Sequence, residues 1–146
     1  MNCVIVDDEK LSLTLVEKFV QDTKSLNLVG SYSNGNDLHK ALNSKQVDLI
    51  FLDINMPEIN GIDLIKTTKN IPQVIFITSH PDYAIEAFEH DVTDYLVKPI
   101  NFQRFLKSVA RAEKIHNAFG IEESRNKSSS HPSPEIYGCK SIGRSC

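Results

Sequence analysis

Asp7 and Asp8, Asp53, Thr78 and Lys98 carry groups that together could handle phosphorus chemistry. An acidic pair can hold a divalent cation. Mg²⁺ wants near-octahedral oxygen ligands, keeps several waters, and takes one or two protein carboxylates. Asp8 and Asp53 suit that role, with Asp7 behind them orienting Asp8 or a metal-bound water. A backbone carbonyl just after Asp53, Asn55 being the natural candidate, could supply a further ligand. Asp53 is the candidate nucleophile, whose attack on phosphorus gives an acyl phosphate. The Thr78 hydroxyl and the Lys98 ammonium could then share with the cation the charge on the phosphoryl oxygens. Carboxylates crowded together repel, so such a site is poorly satisfied without its cation, and metal binding should stabilise the fold.

Taken singly, each residue has a plainer reading. Asp-Asp beyond a strand is commonly a helix N-terminal acid pair, favourable to the helix dipole. Thr78 alone is a strand residue, Tyr95 a core residue, and His80 a solvated loop histidine. What changes the odds is that Asp7-Asp8, Asp53, Thr78 and Lys98 each sit at or just past the end of a short apolar run. Those runs, Cys3 to Val6, Leu28 to Tyr32, Leu49 to Leu52, Val74 to Thr78 and Tyr95 to Val97, read as five strands.

Helix-spaced apolar residues fill the intervals: Leu11, Leu15, Val16, Phe19 and Val20; then Leu38, Ala41 and Leu42; then Ile62, Leu64 and Ile65; then Ile85 and Phe88. A last helix carries Phe102, Phe105, Leu106, Val109 and Ala112 on one face, with Gly120 as its stop. This (βα)5 alternation predicts an α/β fold. It is a doubly wound, flavodoxin-like three-layer sandwich with a five-stranded parallel sheet in the order 2-1-3-4-5. Ligands in such sheets bind beyond the carboxyl ends of the strands, where strand order reverses. Asp7-Asp8, Asp53, Thr78 and Lys98 all fall there.

Local chemistry supports the frame. Pro57 restricts and Gly61 releases the backbone of the loop that follows Asp53. Lys98 precedes Pro99, which confines it to extended conformations, and a cis bond between them is expected. Ser79 and Asp82 have capping-box spacing at the start of the fourth predicted helix.

At 146 residues the chain can hold one domain with a real core, with residues 1–120 as that domain and 121–146 as a polar tail. The stretch Ser128 to Pro134 has no periodicity, and it reads as a linker toward a further domain or as a leftover of recombinant expression. A net charge of −3 gives the body no electrostatic reason to bind nucleic acid. No apolar run approaches a membrane span and no signal peptide opens the chain, so a cytoplasmic location is expected. Cys3, Cys139 and Cys146 lack ligand spacing, and Cys3 reads as a small buried hydrophobe.

Four motifs together resemble the receiver domain of two-component response regulators, over about Asn2 to Phe119. They are Val6-Asp7-Asp8-Glu9, Leu52-Asp53 through Met56-Pro57 to Gly61, Ile77-Thr78-Ser79, and Asp94-Tyr95-Leu96-Val97-Lys98-Pro99. The resemblance implies that Asp53 is the phosphoacceptor, that Asp8, Asp53 and the Asn55 carbonyl bind Mg²⁺ with Asp7 in support, and that the donor is a phosphohistidine on a sensor kinase or phosphotransfer protein. It gives Thr78 and Tyr95 switch roles, the hydroxyl drawn to the phosphoryl group and the ring turning inward behind it. It places Asn55 and His80 where phosphate lifetime is tuned, His80 presenting an imidazole near the attacking water. The output face would comprise the fourth predicted helix, the fifth strand and the last helix, which could also mediate a homodimer. Tyr83 to Phe88 before Asp94-Tyr95 is similar to receivers attached to LytTR-type DNA-binding domains, although nothing resembling that effector is present in this chain.

A receiver catalyses only its own phosphotransfer and dephosphorylation and is not an enzyme acting on other substrates. Two other readings stay open. An aspartyl-nucleophile phosphatase of the haloacid-dehalogenase type would want an acid two residues after the nucleophile, where this chain has Asn55. A phosphorylation-independent interaction module would leave the site unused.

Overall fold

A computed structural model describes residues 1–56, 60–67, 71–80, 82 and 92–129 of the chain. Its strands are β1 (Asn2–Val6), β2 (Asn27–Tyr32), β3 (Leu49–Asp53), β4 (Gln73–Thr78) and β5 (Asp94–Val97). All pair in parallel, in the order β2-β1-β3-β4-β5, as expected from the alternation of elements. The described helices are α1 (Lys10–Gln21), α2 (Gly35–Ser44), α3 (Gly61–Thr67) and α4 (Phe102–Ser129). The helix predicted around Ile85 and Phe88, its Ser79–Asp82 cap, and Pro57 lie wholly or partly outside the described residues.

The central strands are apolar throughout because both sheet faces are covered. Successive side chains point to opposite faces, which sorts β1 and β3 into two core layers. Cys3, Ile5, Leu49 and Phe51 pack with Val16 and Val20 of α1 and with Phe105, Val109 and Ala112 of α4. Val4, Val6, Ile50 and Leu52 pack on the other side with Leu38 of α2 and with Ile62 and Leu64 of α3. Burial pushes the Cys3 thiol up to about 12, so it stays a neutral core group.

Helix starts follow local chemistry. Asn34 Oδ1 accepts the Asp37 amide at 2.9 Å and opens α2, and Asn101 Oδ1 accepts the amides of Gln103 and Arg104 at 2.8 and 3.2 Å and opens α4. The Lys98-Pro99 bond is cis, as the sequence suggested.

Three expectations need correction. Leu11 and Leu15 do not face the core; they are 82% and 36% exposed. At about 100° per residue Leu11 stands roughly 140° around the helix from Val16. The buried stripe runs through Val16 and Val20, with Leu13 and Phe19 packed beside it. Gly120 does not end the last helix, which continues to Ser129. A glycine inside a helix costs only about 1 kcal/mol, and Glu122, Glu123, Arg125 and Lys127 are good helix formers. Finally, no described glycine has a positive φ, so Gly61 is needed for space and not for its backbone freedom.

The chain divides into two compact units, Met1–Glu113 and Lys114–Cys146. The first contains the whole sheet and the core clusters. The described part of the second is the C-terminal stretch of α4.

Candidate functional site

Parallel pairing brings every strand's carboxyl end to one edge, and the register sets the candidates side by side. Val6 pairs with Leu52, Asp53 with Ile77, and Thr78 with Val97. Asp7 therefore follows β1, Asp53 closes β3, Thr78 closes β4 and Lys98 follows β5. Backbone bonds stitch these ends: the Asp7 amide to the Tyr32 carbonyl at 3.0 Å, Ile54 to Ile77 at 3.0 Å, and Lys98 to Thr78 at 2.7 Å.

Lys98 leaves its strand two spacings from β3, about 10 Å. Only a long side chain closes that gap. Its Nζ lies 3.0 Å from Glu9 Oε1, 3.3 Å from Asp7 Oδ2 and 3.9 Å from Asp53 Oδ2. Burial works against this ammonium, yet the Glu9 hydrogen bond and the charges of Asp53 and Asp7 outweigh it and raise its pKa.

Asp7 is fully buried, Asp53 is 3% exposed, and Asp8 stands at the surface. One ligand oxygen from each of Asp7, Asp8 and Asp53 falls within a 4.8 Å cluster. Desolvation first, and then the neighbouring Asp7 charge, push the Asp53 carboxyl up to about 8 against the pull of Lys98. Asp7 Oδ1 accepts the Glu9 amide at 2.8 Å, while its buried Oδ2 lacks a hydrogen bond despite the nearby ammonium. Three carboxylates gathered around one ammonium, with a buried Asp7 oxygen that accepts no hydrogen bond, leave negative charge only partly offset. A hard divalent cation with oxygen ligands fits that deficit.

The remaining candidates surround Asp53. The Asn55 amide donates to Asp53 Oδ1 at 3.3 Å, and its side chain is exposed. The Thr78 hydroxyl is buried, accepts the His80 amide at 2.9 Å and donates weakly to the His80 carbonyl at 3.3 Å. His80 itself is exposed at the rim. Tyr95 sits half-buried on β5 opposite Phe76 of β4. Gly61 packs against the end of β3: its amide donates to the Ile54 carbonyl at 2.7 Å, and a Cβ there would meet the Asp53 carbonyl at 2.6 Å.

Sequence reasoning gave no role to four residues, Glu9, Asp94, Arg104 and Ser108. Glu9 entered only as part of a motif, yet its carboxylate is the nearest to Lys98; the signal was a third acid directly after Asp7-Asp8. Asp94 likewise was quoted and given no role, and Arg104 and Ser108 went unremarked. Arg104 forks onto Asp94 with two bonds of 2.9 Å.

A family model described as response regulator receiver domain matches residues 3–110. An uncharacterized response regulatory protein of Vibrio cholerae serotype O1 is 30% identical over 146 residues, 99% of this chain and 60% of that protein. A sensory transduction protein LytR of Staphylococcus haemolyticus is 35% identical over 126 residues, 84% of this chain and 49% of that protein. The crystal structure of the response regulatory domain of mrkE from Klebsiella pneumoniae superposes with a TM-score of 0.70 at 32% identity, covering 83% of this chain and 99% of that domain. The chain thus spans 60% and 49% of the length of these two curated relatives.

Proposed function

The chain belongs to the response regulator receiver family, and from that membership we propose that it accepts a phosphoryl group on Asp53 and uses the acyl phosphate to switch an output. The observation that carries the reading is the position of Lys98, whose ammonium bridges Asp7, Glu9 and Asp53 from a strand end remote from them in sequence. Asp8, Asp53 and the Asn55 carbonyl are the proposed holders of Mg²⁺, with Asp7 orienting them. Bound there, Mg²⁺ would supply the positive charge that keeps Asp53 ionised and offsets charge on the phosphoryl oxygens.

An Asp53 Oδ atom then attacks phosphorus in line with the donor. The bond from phosphorus to the donor's imidazole nitrogen breaks, and that nitrogen keeps the electron pair. Lys98 moves its ammonium from Glu9 to the new phosphoryl group. Thr78 turns its hydroxyl from the His80 carbonyl, giving up a long 3.3 Å bond for a charge-assisted one. The space it vacates admits the Tyr95 ring, and the face that carries β5 and α4 changes. Asn55 and His80, at the rim, set access for the water that hydrolyses the acyl phosphate.

By this reading the protein catalyses its own phosphotransfer only. A sensor histidine kinase or phosphotransfer protein is its donor, and a second copy on the β5 and α4 face is a candidate partner. Transcriptional output through a LytTR-type effector, and a cytoplasmic location, fit the same scheme. No helix among the described residues is long and apolar enough to cross a membrane.

The decisive experiment supplies Mg²⁺ and acetyl phosphate to wild type and Asp53→Asn. One labile phosphate on wild type and none on the variant is the expected result. Steady release of phosphate from many monoesters would mark a phosphatase, and no modification of either chain would leave an interaction module.

A further inference from the structure

The tyrosine assigned to the switch is held by an apparatus of its own. Among the described residues β5 is the last strand of the sheet, and side chains reach the outward-facing backbone of Tyr95. The Tyr95 amide donates to Asp94 Oδ1 at 2.8 Å, and the Tyr95 carbonyl accepts from Arg104 at 3.0 Å. One terminal nitrogen of Arg104 donates to Asp94 Oδ2 and to Ser108 Oγ, both at 2.9 Å. The other donates to Asp94 Oδ1 at 2.9 Å as well as to Tyr95. Ser108 Oγ completes the set by donating to Asp94 Oδ2 at 2.8 Å. Every terminal N–H of the guanidinium is thereby committed, leaving only Nε of its donors.

The same guanidinium lies 5.9 Å from the centroid of the Tyr95 ring. A lysine ammonium on its flexible stem could follow a ring that moves. This guanidinium cannot, because following would break its fork on a carboxylate that is only 6% exposed. A ring that turns away toward Thr78 therefore forfeits its cation.

We propose that Arg104, immobilised by Asp94, Ser108 and the Tyr95 carbonyl, is a positioning residue that holds the Tyr95 ring in its resting place and sets the ease with which the switch is thrown. This inference rests on the reading that phosphorylation of Asp53 draws the ring inward. Removing the cation should make the inward state easier to reach. Whatever binds that state, including beryllofluoride at Asp53, should then bind more tightly, by the threefold to fivefold that a contact of about 0.7–1 kcal/mol commands.

The test uses the full chain labelled with 3-fluorotyrosine and titrates beryllofluoride in the presence of Mg²⁺. Arg104→Met is expected to bind about three to five times tighter than wild type, with its free-state Tyr95 resonance displaced toward the bound position. In a Tyr95→Leu background the same substitution should leave the affinity unchanged. Arg104→Lys, which keeps a cation but gives up the fork, serves if Arg104→Met does not fold. It should tighten binding about twofold, again only when Tyr95 is present. A purely structural Arg104 would lower the melting temperature without moving the affinity, and that result overturns the inference. So would an affinity change that persists without Tyr95. If wild type itself ignores beryllofluoride, the proposed function falls and takes this inference with it.

Discussion

Asp53 shows how far a single residue's chemistry depends on its surroundings. In the metal-free fold its carboxyl is raised from the ordinary 3.8 to about 8 by burial and by Asp7. It therefore binds its proton more tightly folded than unfolded, and ionising it works against the fold. Its contribution to stability is fully present below the ordinary carboxylate range and is lost as pH rises from there through about 8. Thermal melts without metal should accordingly show a lower midpoint at about pH 8 than at about pH 5, by several degrees. Saturating Mg²⁺ should remove most of the difference, and Asp53→Asn should flatten it; a metal-free slope of the opposite sign would sink the account. That Asp53 closes a strand was readable from Leu52-Asp53 at the end of an apolar run. Its shifted pKa was not, because solvent exclusion and the distance to Asp7 exist only after folding.

At the scale of elements, two placements can be tested independently. Gly61, first residue of α3, packs so closely on β3 that an added Cβ would lie 2.6 Å from the Asp53 carbonyl and 3.0 Å from Ile54 Cα. Gly61→Ala should cost about 1–3 kcal/mol in urea unfolding and, by displacing the acceptor, weaken Mg²⁺ binding. Wild-type values in both measurements would mean that the loop absorbs the methyl elsewhere. The second placement is the rotation of α1. Leu11→Ser should change stability by no more than about 0.5 kcal/mol, whereas Val16→Ala should cost about 1–3 kcal/mol. Equal losses in urea unfolding would restore the apolar face first drawn through Leu11 and Leu15. Helical periodicity allowed both faces, since leucines and valines populate most of the circumference. Only docking on the sheet selected Val16 and Val20.

Among the described residues, those that build the two core clusters run no further along the chain than Ala112. Phe19 of α1 and Phe51 of β3 both meet Phe105 of α4, at ring-centroid distances of 5.4 and 5.2 Å, and the core cluster on that face ends at Ala112. A chain ending after residue 120 should therefore melt cooperatively within a few degrees of the full chain and keep its Mg²⁺ response. Loss of cooperative unfolding in calorimetry would show that residues 121–146 belong to the domain. The order of strands and helices was legible because strand and helix periods differ and a parallel crossover has one hand. From that order alone it followed that Asp7, Asp53, Thr78 and Lys98 end on one sheet edge. What awaited the tertiary structure were the relations among side chains that share no stretch of sequence. Lys98 sits nearer to Glu9 than to Asp53, Asp7 keeps a buried oxygen unbonded, and Arg104 is locked beside Tyr95. Residue type and spacing specify which groups arrive at the edge. Distances and the exclusion of water, set by packing of the whole sheet and its helices, decide which of them touch and what charge each can carry.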